Sequence, residues 1–289
     1  MRRLTLDRTI DHLGWRRRRS KRAATIAANR LARSIAPIST YTFRLGEHGR
    51  LGNQLFQIAG TIGLAAQMNS NAVFRKDWHY RDYFSLPTGF YASRITVARC
   101  AQAWPLAVGI AEEARLWLQD ASLWEVCRES IDRWLQPSDL ARAETAKRYS
   151  ELLALPSKTS IHVRRGDYLA GPSPRTIPSA YYDETVQLIK ADDPSTQFLV
   201  FSDDIGWCRK ALPIPDALYI SGNPDWLDLT LMSHCEHHIC ANSTFSWWGA
   251  YLSTDPSPIV PWLTGAFPPA FRIGHPDGWH EIEISPESP

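Results

Sequence analysis

Positions 160–169 read Ser-Ile-His-Val-Arg-Arg-Gly-Asp-Tyr-Leu. The alternating, β-branched start of this stretch predicts the end of a buried strand at Val163, and Gly166 permits a backbone turn soon after it. Arg164 and Arg165 would then lie at the carboxyl edge of a sheet, where open α/β proteins bind their ligands. Guanidinium groups suit phosphate oxygens, so the stretch favours a phosphorylated or nucleotide-linked substrate. A surface pair of Arg and Asp that caps the strand is the alternative.

The order of the predicted elements indicates an α/β fold with two units. Strand-like runs alternate with helical spacing on both sides of position 156, where Leu-Pro-Ser predicts a turn between domains. We expect a basic tail (1–40) and two Rossmann-like α/β domains (41–156 and 157–289) that face a central cleft. Helices are predicted over 53–68, 112–136, 139–155, 180–190 and 225–233, and after position 243. Strands are predicted over 41–45, 71–74, 95–100, 160–163, 197–201, 217–221 and 238–240, and a last strand over 259–261.

Four short polar segments follow predicted strands and would meet at one edge of the fold. Gly52 and Asn53 lead into a helix, and so do the hydroxyls of Ser243, Thr244 and Ser246. The N-terminus of a helix attracts anions, so both places could hold phosphate, although ordinary N-capping is the alternative. Together the segments favour a nucleotide site, which none of them does alone. The four segments are 49–53, 164–167, 202–204 and 243–246.

Charge is unevenly distributed along the chain. Residues 1–33 hold eleven Lys and Arg against two acids, a net charge of +9, and the whole chain carries +2, which leaves −7 for the remainder. We expect the tail to be a disordered, solvated arm; weak attraction to an anionic membrane surface is the alternative, and no nucleic-acid partner is expected. No run of about 18 apolar residues and no signal peptide occurs. We therefore expect a cytoplasmic location, with peripheral contact to the inner face of the membrane as the alternative.

The five cysteines are odd in number and irregularly spaced, so they imply no disulfide framework and favour a reducing compartment. The segment 234–240 contains three His and two Cys. These residues are nearly contiguous and lack the two-part spacing of structural zinc sites. We predict no metal there, and a buried strand that follows a polar turn.

Aromatic residues make up 11 % of the chain, and twelve of them are tryptophan. Aromatic rings pack against the C–H faces of sugars, but a large, well-packed core contains them as well. The polar and aromatic segment 76–84 is typical of carbohydrate clefts. Its residues Trp78, His79 and Tyr80 are candidates for contact with a glycan acceptor.

Taken together, these motifs resemble the α-1,2-fucosyltransferases of glycosyltransferase family 11. The resemblance runs from about position 41 to the C-terminus and is weakest between about 75 and 150, where acceptor choice would lie. It implies a GT-B fold, a GDP-fucose donor, a galactose-type hydroxyl of a glycan as acceptor, inversion at the anomeric carbon, and neither cofactor nor metal. The matching segments read Gly-Arg-Leu-Gly-Asn-Gln-Leu-Phe-Gln (49–57), His-Val-Arg-Arg-Gly-Asp-Tyr (162–168), Phe-Ser-Asp-Asp (201–204) and Ala-Asn-Ser-Thr-Phe-Ser-Trp-Trp-Gly (241–249).

The chemistry of such a transfer fits the paired arginines. Departing GDP accumulates negative charge as the C1–O bond breaks, and fixed cations can stabilise that charge. No Asp-x-Asp metal clamp is apparent, because Asp203 and Asp204 are adjacent. Arg165, with Arg164 beside it, is our choice for the cation. Asp167 either accepts the proton of the acceptor hydroxyl or orients one of the arginines.

The resemblance implies the other donor contacts. Asn53, at the end of the Gly52 loop, and the segment 243–246 would hold the phosphates, Asp203 would reach guanine or ribose, and His162 would be structural or touch the nucleotide. A transferase for another sugar or linkage is one alternative, and a non-catalytic nucleotide-sugar or glycan-binding protein is another. The sequence assigns no oligomeric state.

Overall fold

The computed structural model of the chain describes residues 39–41, 45–46, 49–67, 69, 71–92, 118–169, 176–254, 257–263 and 274–284. The strand predicted over 95–100 and almost all of the basic tail lie outside these ranges. Among the described residues, no helix is both long enough and apolar enough to cross a membrane.

A small parallel sheet forms the first part of the fold. Its strands β1 (Ser39–Tyr41), β2 (Asn71–Arg75) and β3 (Tyr91–Ala92) pair in that order, and helix α1 (Leu51–Gln67) connects the first two. The predicted helix over 53–68 is thus confirmed. Of the strand predicted over 41–45, position 41 is the end of the described strand β1, position 45 lies in a turn, and positions 42–44 lie outside the described residues.

Of the helix predicted over 112–136, the structure describes 118–136, and the prediction is confirmed over Arg128–Trp134 and wrong over 118–127. Two 3₁₀ turns, Ala121–Leu123 and Glu125–Cys127, precede the short helix α2, Arg128–Trp134. The first turn is fixed by the carboxylate of Asp120, which accepts the backbone N–H of Ser122 at 3.0 Å. Such a local side-chain bond competes with helix formation.

The next predicted helix, over 139–155, is confirmed as α3 (Asp139–Leu153). It begins where expected, because the hydroxyl of Ser138 accepts the backbone N–H of Ala141 at 3.2 Å as an N-cap.

The main sheet has six strands, all parallel to their neighbours, with helices between them. The predicted alternation of strands and helices is confirmed, with small shifts of the ends. The strands are β4 (Lys158–Val163), β5 (Gln197–Ser202), β6 (Leu218–Ile220), β7 (His237–Ile239), β8 (Ser257–Leu263) and β9 (His280–Ile284). The helices between them are α4 (Gly166–Leu169), α5 (Ser179–Asp192), α6 (Ile205–Ala211), α7 (Asp225–Met232) and α8 (Thr244–Tyr251).

Strand β4 is buried along its whole length because it lies inside the parallel sheet. Its apolar side chains Ile161 and Val163 belong to one apolar cluster. On the other face, the hydroxyl of Ser160 lies 2.7 Å from Nδ1 of His238, whose Nε2 lies 2.8 Å from the hydroxyl of Ser253. These hydrogen bonds explain how a buried strand tolerates polar residues.

Tryptophan side chains pack helix α1 against helix α8. The ring of Phe56 lies 4.6 Å from Trp247, 5.2 Å from Trp248 and 5.8 Å from Trp124, measured between centroids. These tryptophans are buried and therefore belong to the core. The cluster has members on both sides of position 156, and the domain boundary there stays a prediction.

A half-buried polar network joins α3 to α7. The side-chain amide of Asn223 donates to Asp228 at 2.7 Å, and the hydroxyl of Tyr149 donates to the carbonyl oxygen of Asn223 at 3.1 Å. Burial raises the pKa of Asp228 to about 6, helped by the negative charge of Asp225 and opposed by the hydrogen bond from Asn223.

We expect Asp228→Asn to change how stability depends on pH. A carboxyl group whose pKa is raised on folding holds its proton more tightly in the folded state, so its stability contribution is present below about pH 4 and is lost as pH rises through 6. The variant should match wild type at pH 4 and exceed it by up to about 3 kcal/mol in free energy of unfolding at pH 8, at ~1.4 kcal/mol per pKa unit. Urea unfolding at both pH values measures this. The exposed Asp183→Asn is the control, and a difference between Asp228→Asn and wild type that is equal at both pH values would contradict the assignment.

Candidate functional site

The order of the strands creates a crevice at the carboxyl edge of the main sheet. From β4 the chain moves outward through β5 and β6, and then returns to place β7 on the other side of β4. Ligands of open α/β sheets bind where the direction changes in this way, outside the carboxyl ends of the strands. The segments that begin at Arg164, Asp203 and Asn242 follow β4, β5 and β7 and therefore meet at this edge.

Arg164 is held edge-on by two carboxylates. Its Nη1 donates to Asp203, and its Nη2 donates to Asp167. The Asp203 carboxylate also accepts the backbone N–H of Arg165 at 2.9 Å. Asp203 was expected to reach guanine or ribose, but in this structure its oxygens hold the turn after β4. Asp167 keeps 60 % of its side chain exposed, whereas Arg164 keeps 11 %.

The requirement for glycine at position 166 differs from the one expected. Gly166 starts α4 without a positive φ, so the backbone there is open to any residue. The constraint is space, because a Cβ atom at this position would lie 2.6 Å from Oδ2 of Asp203. A larger residue would push away the carboxylate that anchors both arginines.

Arg165 is held in another way. Its guanidinium carbon lies 3.7 Å from the ring centroid of Trp207, and its Nε lies 3.5 Å from Oδ2 of Asp204. Within the described residues, Nε is buried without a hydrogen bond, and no hydrogen bond involves the two terminal nitrogens. Arg165 therefore keeps both terminal nitrogens for a ligand, whereas each terminal nitrogen of Arg164 already donates to a carboxylate.

Helices α1 and α8 meet at their N-termini. Oδ1 of Asn53 accepts hydrogen bonds at 2.9 Å from the hydroxyl of Thr244 and from the side-chain amide of Gln119. A Cβ atom on Gly52 would lie 2.6 Å from the backbone nitrogen of Phe245, so only glycine allows this approach. Two positive helix ends thus lie together, an arrangement suited to an anion.

The predicted serine ligands have other partners here. The hydroxyl of Ser243 accepts the backbone N–H of Phe245 at 3.2 Å as the N-cap of α8, and the buried hydroxyl of Ser246 donates to the carbonyls of Ala241 and Ser243, both at 3.1 Å. An anion at this end would be bound by first-turn N–H groups, which lack partners within the helix.

His162 lies beneath the crevice. It is 6 % exposed, its ring centroid is 5.4 Å from that of Phe245, and its Nδ1 has no hydrogen bond among the described residues. Burial, and then the charge of Arg164, lower its pKa to about 4. The imidazole is therefore neutral at neutral pH.

The three acceptor candidates occupy different environments. Trp78 is buried in the core, where its Nε1 donates to the side chain of Gln54 at 2.8 Å, so its ring faces are not available to a sugar. His79 is exposed and packs edge-on against Tyr80. The hydroxyl of Tyr80 donates to Asp225, on α7 after β6, at 2.6 Å. His79 and Tyr80 are the candidates that remain accessible.

Three further residues line this edge and were not singled out from the sequence. Arg50 keeps 65 % of its side chain exposed and lies 3.8 Å from Asp167 and 4.0 Å from Asp203. Trp207 and Asp204 hold Arg165 as described above. The signal for Arg50 and Asp204 was their place in predicted ligand segments, whereas the sequence gave no signal for Trp207, since no helix was predicted over 205–211.

The segment 234–240 forms the turn and strand that were predicted, with His237–Ile239 as β7. In the part of the chain that the structure describes, no three His, Cys, Asp or Glu side chains come together as metal ligands would.

Sequence comparison identifies relatives of this chain. Residues 123–261 match the sequence model of glycosyl transferase family 11. An alpha-1,2-colitosyltransferase of Escherichia coli is 34 % identical over 155 residues, which cover 48 % of this chain and 52 % of that protein. A galactoside alpha-(1,2)-fucosyltransferase 1 of Ateles belzebuth is 27 % identical over 255 residues, which cover 73 % and 65 %. The chain therefore covers less than two thirds of the length of either relative.

The fold also has a solved counterpart. The crystal structure of the glycosyl transferase family 9 protein from Veillonella parvula superposes with a TM-score of 0.51 at 10 % identity, covering 87 % of this chain and 86 % of that one. The expected α/β fold of the GT-B type is confirmed. On this fold, residues 123–261 carry the sequence pattern of glycosyl transferase family 11.

Proposed function

We propose that the protein transfers a deoxyhexosyl group, L-fucose in the leading case, from a GDP-sugar to a galactose-type hydroxyl of a glycan, with an α-1,2 linkage and inversion. The observation that carries this proposal is Arg165, whose terminal nitrogens have no hydrogen bond among the described residues at the carboxyl edge of the sheet. Both named relatives are α-1,2 transferases but differ in the sugar, colitosyl or fucosyl. The linkage is thus better supported than the sugar.

The two arginines divide the work in this proposal. Arg164 is engaged by Asp203 and Asp167 and fixes the turn. Arg165 has donors to spare and would bind the diphosphate, whose charge grows as the sugar departs. A charge-assisted hydrogen bond contributes about 1.5–3 kcal/mol, and one aimed at charge in the transition state is worth ~10²–10³ in rate.

The helix ends would hold the same diphosphate from the other side. Asn53 and Thr244 keep the N-termini of α1 and α8 together, so their positive ends add to the charge of Arg165. Arg50 lies near the same carboxylates and adds a further exposed cation. With this charge supplied by the protein, we propose that transfer needs no divalent ion.

Asp167 is the proposed base for the acceptor hydroxyl. Its Oδ1 is bound by Arg164, and its side chain is 60 % exposed, so it is accessible to an acceptor. On this proposal the leaving group has largely departed before the proton moves, so the acceptor hydroxyl needs only a carboxylate within hydrogen-bond reach.

The donor experiment tests the whole proposal. GDP-fucose and GDP-colitose are offered with a panel of galactose-terminated glycans, and the linkage of the product is determined by NMR. We expect an α-1,2 product with inverted anomeric configuration, at a rate that EDTA leaves within about twofold. Nucleotide binding without transfer from either donor would favour a binding protein, and inhibition by EDTA that a divalent ion reverses would contradict the metal-free mechanism.

We expect Arg165→Ala to lower kcat by ~10²–10³ because it removes a donor to the departing diphosphate. Its free energy of unfolding should stay within about 1 kcal/mol of wild type, since the carboxylates at the turn keep Arg164. The matched control is Arg209→Ala. Arg209 is exposed, lies on the same helix as Trp207, and stacks on the ring of Tyr219, whose centroid is 4.7 Å from the guanidinium carbon. Steady-state kinetics and urea unfolding measure both, and activity of Arg165→Ala above a tenth of wild type would contradict the role.

The variant Asp167→Asn tests whether Asp167 accepts the proton of the acceptor hydroxyl or only orients Arg164. If Asp167 accepts the proton, kcat should fall at least tenfold while the Kd of GDP stays within threefold, because Asp203 still holds Arg164. Titration calorimetry with GDP and steady-state kinetics give the two values. A variant that turns over normally and only binds the nucleotide less tightly would make Asp167 a scaffold residue.

A further inference from the structure

At the start of helix α6, Asp204 contacts the end of strand β5, the first turn of the helix and Arg165. The backbone N–H of Asp204 donates to the hydroxyl of Ser202 at 2.9 Å, and Oδ1 of Asp204 accepts the backbone N–H of Trp207 at 3.0 Å. The other oxygen of the same carboxylate lies 3.5 Å from Nε of Arg165. One side chain therefore caps α6 and fixes its first turn relative to the guanidinium.

The indole of Trp207 contacts the flat face of the Arg165 guanidinium, which carries no hydrogen-bond donors. A guanidinium group stacks through its flat face, while its N–H donors point outward in its plane. At 3.7 Å from the ring centroid, the guanidinium is in contact with the indole face. Arg164 shows the opposite case, because carboxylates take both of its terminal nitrogens. Stacking holds an arginine and leaves its donors free.

We propose that Trp207, set by the Asp204 cap, is a positioning residue that holds Arg165 in place for the leaving diphosphate. This inference rests on the proposed function. It assigns a purpose to a half-buried tryptophan at the rim of the crevice, whose ring also packs against the apolar cluster below. Because a packing role alone would explain that burial, the test has to separate packing from positioning.

Two substitutions separate them. Trp207→Phe keeps a ring face for Arg165, and Trp207→Leu keeps apolar bulk without one. We expect kcat with the GDP-sugar that wild type uses to stay within threefold for Trp207→Phe and to fall about tenfold for Trp207→Leu, with a smaller change in KM. Trp134→Leu is the control, since Trp134 is also half-buried but packs against Phe90 far along the chain. It should lower stability and leave kcat unchanged.

A double-mutant cycle tests whether Trp207 acts through Arg165. In an Arg165→Lys background, which retains a cation without a stacking plane, Trp207→Leu should change kcat by less than twofold. An equal loss of kcat in both backgrounds would overturn the proposal. So would a loss in Trp207→Phe as large as that in Trp207→Leu.

NMR of the wild-type chain tests the contact without turnover. With 15N-labelled arginine, the Nε–Hε signal of Arg165, assigned by its absence in Arg165→Lys, should be shifted upfield by the ring current of Trp207. An unshifted signal would overturn the proposal even if Trp207→Leu fails to fold. If wild type transfers from neither donor, the proposed function fails, and this measurement still decides whether Trp207 holds Arg165.

Discussion

The carboxylate of Asp203 joins the ends of two neighbouring strands. From the end of β5 it accepts the backbone N–H of Arg165 and a guanidinium N–H of Arg164, both at the end of β4. Glycine at position 166 leaves the space that this carboxylate occupies. Removing the Asp203 carboxylate would leave both N–H groups without this acceptor. Removing the Arg164 guanidinium would leave the carboxylate without its charged partner, which is costly because only 22 % of the Asp203 side chain is exposed. The position of both arginines therefore depends on an acid that itself need not touch a ligand.

The same edge shows two ways to hold a cation. Carboxylates at the edge of a guanidinium neutralise its charge and use its donors, so Arg164 contributes geometry more than field. The aromatic face of Trp207 leaves the terminal donors of Arg165 free, and it neutralises less of the guanidinium charge than a carboxylate would. With the N-termini of α1 and α8 joined through Asn53, the crevice sets two positive helix ends beside the terminal nitrogens of Arg165, in a chain whose body, outside its basic tail, carries net negative charge. An anionic diphosphate is the ligand class that this arrangement fits.

Local patterns predicted most of the strands, the N-cap at Ser138 and the placement of Arg164 and Arg165, because those features depend on neighbouring residues in the chain. Strand β9 and helix α6 were not predicted. The partners of these arginines could not be predicted in the same way. Which strand lies beside β4 decides that Asp203 meets Arg164 and that Trp207 covers Arg165, and sequence spacing does not contain that order. Residue type alone also gave a wrong prediction where burial decides the role. Trp78 was predicted to contact a sugar, but it is buried in the core and donates a hydrogen bond to Gln54.

The architecture separates a fixed end of the crevice from a variable one. At the proposed phosphate end, Gly52 packs closely against Phe245, and tryptophans pack beneath this contact. The two helix ends are therefore fixed, because separating them would break the core. Inversion requires the acceptor hydroxyl to attack from the side opposite the departing diphosphate. On the proposed mechanism, the acceptor would thus meet the accessible His79 and Tyr80, and Tyr80 is tied to α7 through Asp225. Neither residue takes part in the contact between Gly52 and Phe245, so on the proposed mechanism a change at His79 or Tyr80 would alter the acceptor side without disturbing the packed helix ends.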